Sequence, residues 1–105
     1  MNIQMSGFDK LTLETKDLIK EKVEKLLEKY KKMFGEKSIK VFKLSADKLR
    51  ERGDHKYYQI KCYLETTHGL FYADHSDWKV LNAVEKVLDE IERQIVKKKD
   101  TIKRT

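Results

Sequence analysis

Cationic side chains crowd the C-terminal end of this sequence. Residues 93–105 hold Arg93, Lys97, Lys98, Lys99, Lys103 and Arg104 against one acid, Asp100, while the whole 105-residue chain has a formal net charge of +6. Charge gathered at one end suits a directed contact with a polyanion better than general solubility. On nucleic acid, lysine and arginine displace condensed counterions from phosphate, so binding of this kind weakens steeply with salt. Other chemistry has less support. His55, His68 and His75, with Asp74, Asp77 and Cys62, include every ligand type a zinc site uses, but none shows the close paired spacing of such a site. The four glycines are scattered and build no phosphate loop. A hydrolase using a histidine–carboxylate pair has no motif behind it. The expectation is a protein that is not an enzyme, with no cofactor, no metal and no small-molecule substrate.

The register of the last helix decides whether the basic end is a solvated tail or a binding face. Leu81, Val84, Leu88, Ile91 and Ile95 repeat at three- and four-residue steps, and Ile102 continues the stripe. At about 100° per residue, Lys79, Lys86, Arg93, Lys97 and Arg104 fall on a line nearly opposite. Glu85, Asp89 and Glu92 form an acidic stripe beside it. An earlier helix repeats the arrangement: Lys22, Lys25, Lys29 and Lys32 share one flank, and Glu21, Glu24 and Glu28 the next. Ordinary helix chemistry accounts for part of this, since Glu21–Lys25 and Glu28–Lys32 are favourable i,i+4 pairs. Two cationic stripes on neighbouring helices, with a basic end including Lys98 and Lys99, point to RNA.

The elements that must carry these stripes are legible from periodicity. Met1–Met5 alternates as a short strand ending at Gly7. Thr12 is placed to cap a helix whose apolar face is Ile19, Val23, Leu26, Leu27, Tyr30, Met33 and Phe34, and Gly35 sits just past its end. Residues 38–46 read as a second strand, followed by a charged loop at Arg50–Asp54. Lys48 and Arg50, at that strand end, offer a further RNA contact, with plain loop charge as the simpler account. Tyr58, Ile60, Cys62 and Leu64 alternate with Tyr57, Gln59, Lys61, Tyr63 and Glu65, which places Cys62 as a small core residue. A tight connection at Thr67–Gly69 leads to a fourth strand at Leu70–Ala73, and Ser76 or Asp77 caps the final helix. The order β-α-β-β-β-α makes an α+β fold, a four-stranded sheet with two helices on one face. Tyr57, Tyr63 and Tyr72 then share the uncovered face. Cross-strand packing is the plain reading of that patch; base stacking or a protein partner is the sharper one, and a protein-interaction module is the alternative function.

At 105 residues the chain builds one domain, residues 1–105, with one modest core. A single cysteine excludes an internal disulfide and fits a reducing compartment. No apolar run approaches the roughly 20 residues that cross a bilayer, and MNIQMSGF has no signal layout. The expected location is cytoplasmic.

The MNI…G opening, the LT…EKVEKL segment, DKLR at Asp47–Arg50 and the closing NAVEKVLDEIERQIVKKK together resemble the ribosome hibernation-promoting factor and ribosome-associated translation inhibitor family. The resemblance spans essentially the whole chain. It implies a domain similar to a double-stranded-RNA-binding domain that sits on the small ribosomal subunit, contacts its ribosomal RNA, and blocks the channel for messenger and transfer RNA. Lys22, Lys25, Arg93, Lys97 and Lys99 match basic family positions. Two departures stand out: Lys79-Val80-Leu81 lacks the family's tyrosine, and Glu90 stands where a lysine is usual. The chain stops after the second helix, as in the short form of the family, so it is expected to be a monomer off the ribosome and not to pair ribosomes by itself.

Overall fold

The computed structural model describes residues 2–9 and 11–103, with side chains over 3–9 and 11–99. Its elements are β1 (Asn2–Ser6), α1 (Leu13–Phe34), β2 (Ile39–Arg52), β3 (His55–Thr66), β4 (Gly69–Asp77) and α2 (Val80–Lys103). This is the expected β-α-β-β-β-α order. The expected roles of Met1, Arg104 and the Ile102 side chain lie outside the described residues.

Local signals set the first helix. The Thr12 hydroxyl accepts from the Thr15 backbone N–H, and at the other end the Gly35 N–H donates to the Lys31 carbonyl at φ +101°. Because β1 pairs with β2 in parallel, a crossover must separate them, and α1 supplies it. The sheet order is β1-β2-β3-β4, with antiparallel β2–β3 and β3–β4 pairs. Register assigns each face. Phe42, Leu64 and Phe71 are aligned across three strands, as are Leu44, Cys62 and Ala73, and all are buried under the helices. Ile19, Val23, Leu27 and Tyr30 of α1 and Val84, Val87, Ile91 and Ile95 of α2 close the core from above, each 2% exposed or less. Burying a side chain of this size contributes about 1.5–3 kcal/mol, so these rows hold both helices to one side of the sheet.

Three sequence expectations are corrected. β2 does not end at residue 46: it runs to Arg52, and Arg50–Arg52 is strand with only Gly53-Asp54 forming the turn. Residues 47–52 are all exposed, because here the hairpin extends past the helices and neither face is covered. The alternation that marks a half-buried strand therefore vanishes, and the molecule reaches 53 Å in its longest dimension. β4 likewise continues to Asp77, so Ser76 and Asp77 are strand residues and not helix caps. Asp77 still accepts the Lys79 N–H through Oδ1 at 2.9 Å, turning the chain into α2.

Candidate nucleic-acid interface

Three sets of side chains fix how α2 is rotated on the sheet. Its apolar stripe faces down into the core. On one flank Gln94 clamps the outer edge of β4: Nε2 donates to the Tyr72 carbonyl at 2.7 Å, and Oε1 accepts the Tyr72 N–H at 3.3 Å. On the other flank Glu85 meets Lys22 of α1 at 2.9 Å and Glu92 meets Lys29. Both partners advance by seven residues, two helical turns, so the helices run parallel with their charged flanks in register. The side left pointing outward carries Lys86, Arg93 and Lys97, all exposed.

This arrangement divides the candidate cations into two groups. Lys22, Lys25 and Lys29 line a groove between the helices together with Leu26, Leu88, Glu85, Asp89 and Glu92. Three lysines thus face three acids there, and Lys25 also pairs with Glu21 at 3.3 Å. The α1 stripe is largely a zipper to α2's acidic stripe, an outcome that sequence could not reveal without knowing that the helices are parallel neighbours. Its electrostatic effect favours the outer face: Lys22 and Lys29 neutralise acids that would otherwise weaken the Lys86–Arg93–Lys97 line. Exposed pairs of this kind contribute only about 0–1 kcal/mol to stability.

Of the remaining candidates, Lys32 is exposed on α1 beyond the groove, Lys98 is exposed and Lys99 half-buried on the final described turns of α2. Lys79 is exposed just before α2, and its carbonyl accepts the Ala83 N–H. A cation at a helix N-terminus opposes the helix dipole, and the first turn of α2 has no acid to offset it, so local helix stability does not explain this lysine. Glu90 pairs with Arg93 at 3.6 Å, where the family-like pattern has a lysine. Lys48 and Arg50 do not share a face. They lie within β2, not at its end, and a register shift separates them: Lys48 aligns with Tyr58 and Arg50 with Tyr57, on opposite faces of the sheet. Lys48 is further held by Glu51 at 3.1 Å.

The groups weighed for other chemistry are dispersed. His55 aligns with Arg52 at the hairpin turn, His68 packs on Phe34 with ring centroids 4.5 Å apart, and His75 lies opposite Ile60. Among the described residues no three histidine, cysteine or carboxylate groups are placed to hold a metal ion, and no helix is long and apolar enough to cross a membrane. Cys62 is fully buried, and burial pushes its thiol up to about 12. At pH 8 only about one molecule in ten thousand would carry the thiolate. The native protein is therefore expected to resist iodoacetamide for hours at pH 8 and to react within minutes in denaturant. Rapid alkylation of the folded protein, followed by mass spectrometry, would show that the thiol is accessible after all.

Sequence reasoning missed Gln94, whose clamp on β4 has no periodic signature. It set Lys61 among the outward residues of β3 without giving it a role, and it left Lys43 and Trp78 unassigned. Lys43 was findable, because it alternates with the buried residues of β2 and so had to share the open face with the tyrosines.

Comparison with known proteins agrees with this architecture. The family model for the hibernation factor Hib C-terminal domain matches residues 2–105. A ribosomal subunit interface protein from Coxiella burnetii has the same fold, with a TM-score of 0.66 at 13% identity, covering 95% of this chain and 99% of that one. The N-terminal domain of Protein Y from Thermus thermophilus gives a TM-score of 0.56 at 19% identity, covering 90% and 96%. No curated protein sequence matches the chain.

Proposed function

The chain belongs to the ribosome hibernation-factor family, and from that premise we propose that it binds the small ribosomal subunit and inhibits translation by occupying the channel used by messenger and transfer RNA. The observation that carries this reading is the outward line of Lys86, Arg93 and Lys97, aimed by the core, by Gln94 and by the inter-helix ion pairs. Lys79 continues the line just before α2, Lys98 and Lys99 add cations round the helix at its far end, and Lys25 and Lys32 flank it from α1. Lys22 and Lys29 act mainly through the acids they neutralise. No bond is made or broken in this activity. The cations replace counterions on ribosomal RNA phosphates, and the sheet holds two parallel helices at fixed spacing, so shape selects the site where bases are not read. A ribosome-bound role places the protein in the cytoplasm.

Co-sedimentation tests the proposal. With purified small subunits in excess at low salt, most of the protein is expected to travel with the subunit, and cell-free translation should fall in proportion to occupancy. Protein remaining at the top of the gradient under those conditions would refute the reading.

A further inference from the structure

The sheet face away from the helices is uncovered, and the strand register arranges it in rows. Gln4, Lys43, Tyr63 and Tyr72 are aligned across β1 to β4, and the adjacent row is Ser6, Ser45, Lys61 and Asp74. Nearer the hairpin tip Arg50 aligns with Tyr57, whose ring packs on Trp78 with centroids 5.0 Å apart. Two aromatic stations therefore stand on one face, Tyr63–Tyr72 and Tyr57–Trp78. Tyr57 and Tyr63 are six residues apart on β3, about 20 Å at the strand rise of roughly 3.3 Å. The surface between them is polar, formed by Gln59, Lys61, Ser45 and Ser76.

We propose that this open face is a stacking platform for a single-stranded, unpaired RNA segment, separate from the α2 phosphate-binding face. Stacking needs rigid rings turned to solvent. Tyr72 is 45% exposed and Trp78 42%. Tyr72 is also held from two sides, its backbone by Gln94 and its hydroxyl by donation to Asp74 at 3.1 Å. The Lys43 ammonium lies 5.9 Å from the Tyr63 ring centroid, within reach of a phosphate once a base covers that ring. Aromatic rings interleaved with cations are the pattern of sequence-tolerant single-strand binding, in which every base offers a π-face. A protein partner fits less well, because a protein interface is most apolar at its centre, whereas here the centre is polar and the aliphatic residues Val41 and Leu70 lie in one end row. Asp47, Glu65 and Asp74 share the face with Arg50, Lys43 and Lys61. Stacking, not charge, therefore supplies most of the binding. With three cations engaged, the log–log salt slope should not exceed about −2.

Trp78 is the chain's one tryptophan, so its fluorescence reports directly on the platform. The probe is a fluorescein-labelled twelve-nucleotide uridine RNA, titrated against the full chain without ribosomes. The expected result is saturable quenching of Trp78 with a matching anisotropy change, and no quenching of Trp78 with an RNA duplex of equal length, whatever phosphate contact α2 makes with it. Tyr63→Leu with Tyr72→Leu keeps apolar volume, removes two stacking surfaces, and is expected to weaken binding roughly 30-fold or more. Lys86→Glu, Arg93→Glu and Lys97→Glu together should leave it within about 3-fold. Absence of quenching and anisotropy change with the folded wild-type chain overturns the proposal and returns the face to a protein partner. So does a double leucine variant that binds as well as wild type, or a helix variant that loses the oligonucleotide. Because ribosomes are absent, none of these outcomes depends on whether α2 binds the small subunit.

Discussion

Reversal of Lys86, Arg93 and Lys97 to glutamate is expected to abolish co-sedimentation with small subunits, an affinity loss of at least about 100-fold, while the protein stays folded. All three side chains are exposed and lie across the helix from Val84, Leu88, Ile91 and Ile95. Surface changes of this kind usually alter stability by only about 0.5 kcal/mol each, so circular dichroism and the melting temperature should change little. The variant removes three positive charges and adds three negative ones, turning +3 into −3 where phosphates would lie. It should also flatten the salt dependence of any residual binding by about one log–log unit per lost phosphate contact. Lys22→Glu and Lys29→Glu form the informative contrast. They break the pairs with Glu85 and Glu92 without removing a cation from the outer line, and their cost to ribosome binding should be several-fold smaller. A triple variant that folds normally and sediments with an unchanged salt slope would move the contact surface elsewhere on the molecule.

The contrast between those two lysine groups also marks where sequence stops being informative. A stripe of like charge on an isolated helix is the same object whether it meets RNA or a second helix. What decides is which flank the neighbouring helix occupies, and that follows from the parallel β1–β2 crossover and the seating of both apolar faces on one sheet side. The acidic stripe of α2 was visible; its partner was not. The elements with dense local signals were legible: α1 through Thr12, Gly35 and an unbroken apolar period, and β3 through strict alternation from Tyr58 to Leu64. Residues 47–52 were not, because a strand exposed on both faces has no reason to alternate. The β4–α2 junction was misread for a related reason. An aspartate next to a helix start suggests a cap, yet Asp77 remains paired with Tyr58 in the sheet and satisfies the Lys79 N–H from there. Rows that cross four strands, such as Gln4–Lys43–Tyr63–Tyr72, need the register of three separate pairings and lie beyond any local reading.

Gly7→Ala is expected to produce the largest stability loss of any single conservative substitution in β1 or its exit turn. β1 ends at Ser6, aligned with Ser45 of β2, and the chain must then cross over Ala46 to deliver Phe8 into the core, where it is 5% exposed. Gly7 makes that crossing at φ +82°, and a Cβ there would lie 1.9 Å from the Ala46 carbonyl oxygen and 2.9 Å from its carbon. Both obstacles are backbone atoms, so no rotamer change relieves them. Ala46 cannot retreat either, because it is aligned with Ile60 of β3 and buried. The positive φ alone costs a residue with a side chain about 1–3 kcal/mol, and the clash adds to it. A total of roughly 4 kcal/mol or more is expected, a large share of the 5–15 kcal/mol that holds a typical domain folded. The loss would fall first on β1, an edge strand of five residues, and then on α1, which Phe8 and Leu11 help to seat. Urea denaturation measures it, with Gly53→Asn as the matched control: Gly53 also has a positive φ, of +56°, but nothing lies within 4 Å of its added Cβ, and asparagine tolerates that conformation. The control should stay within about 1 kcal/mol of wild type. Equal midpoints for Gly7→Ala and Gly53→Asn would mean that β1 does not leave the sheet by crossing the Ala46 backbone, and the seating of α1 over the sheet would need another explanation.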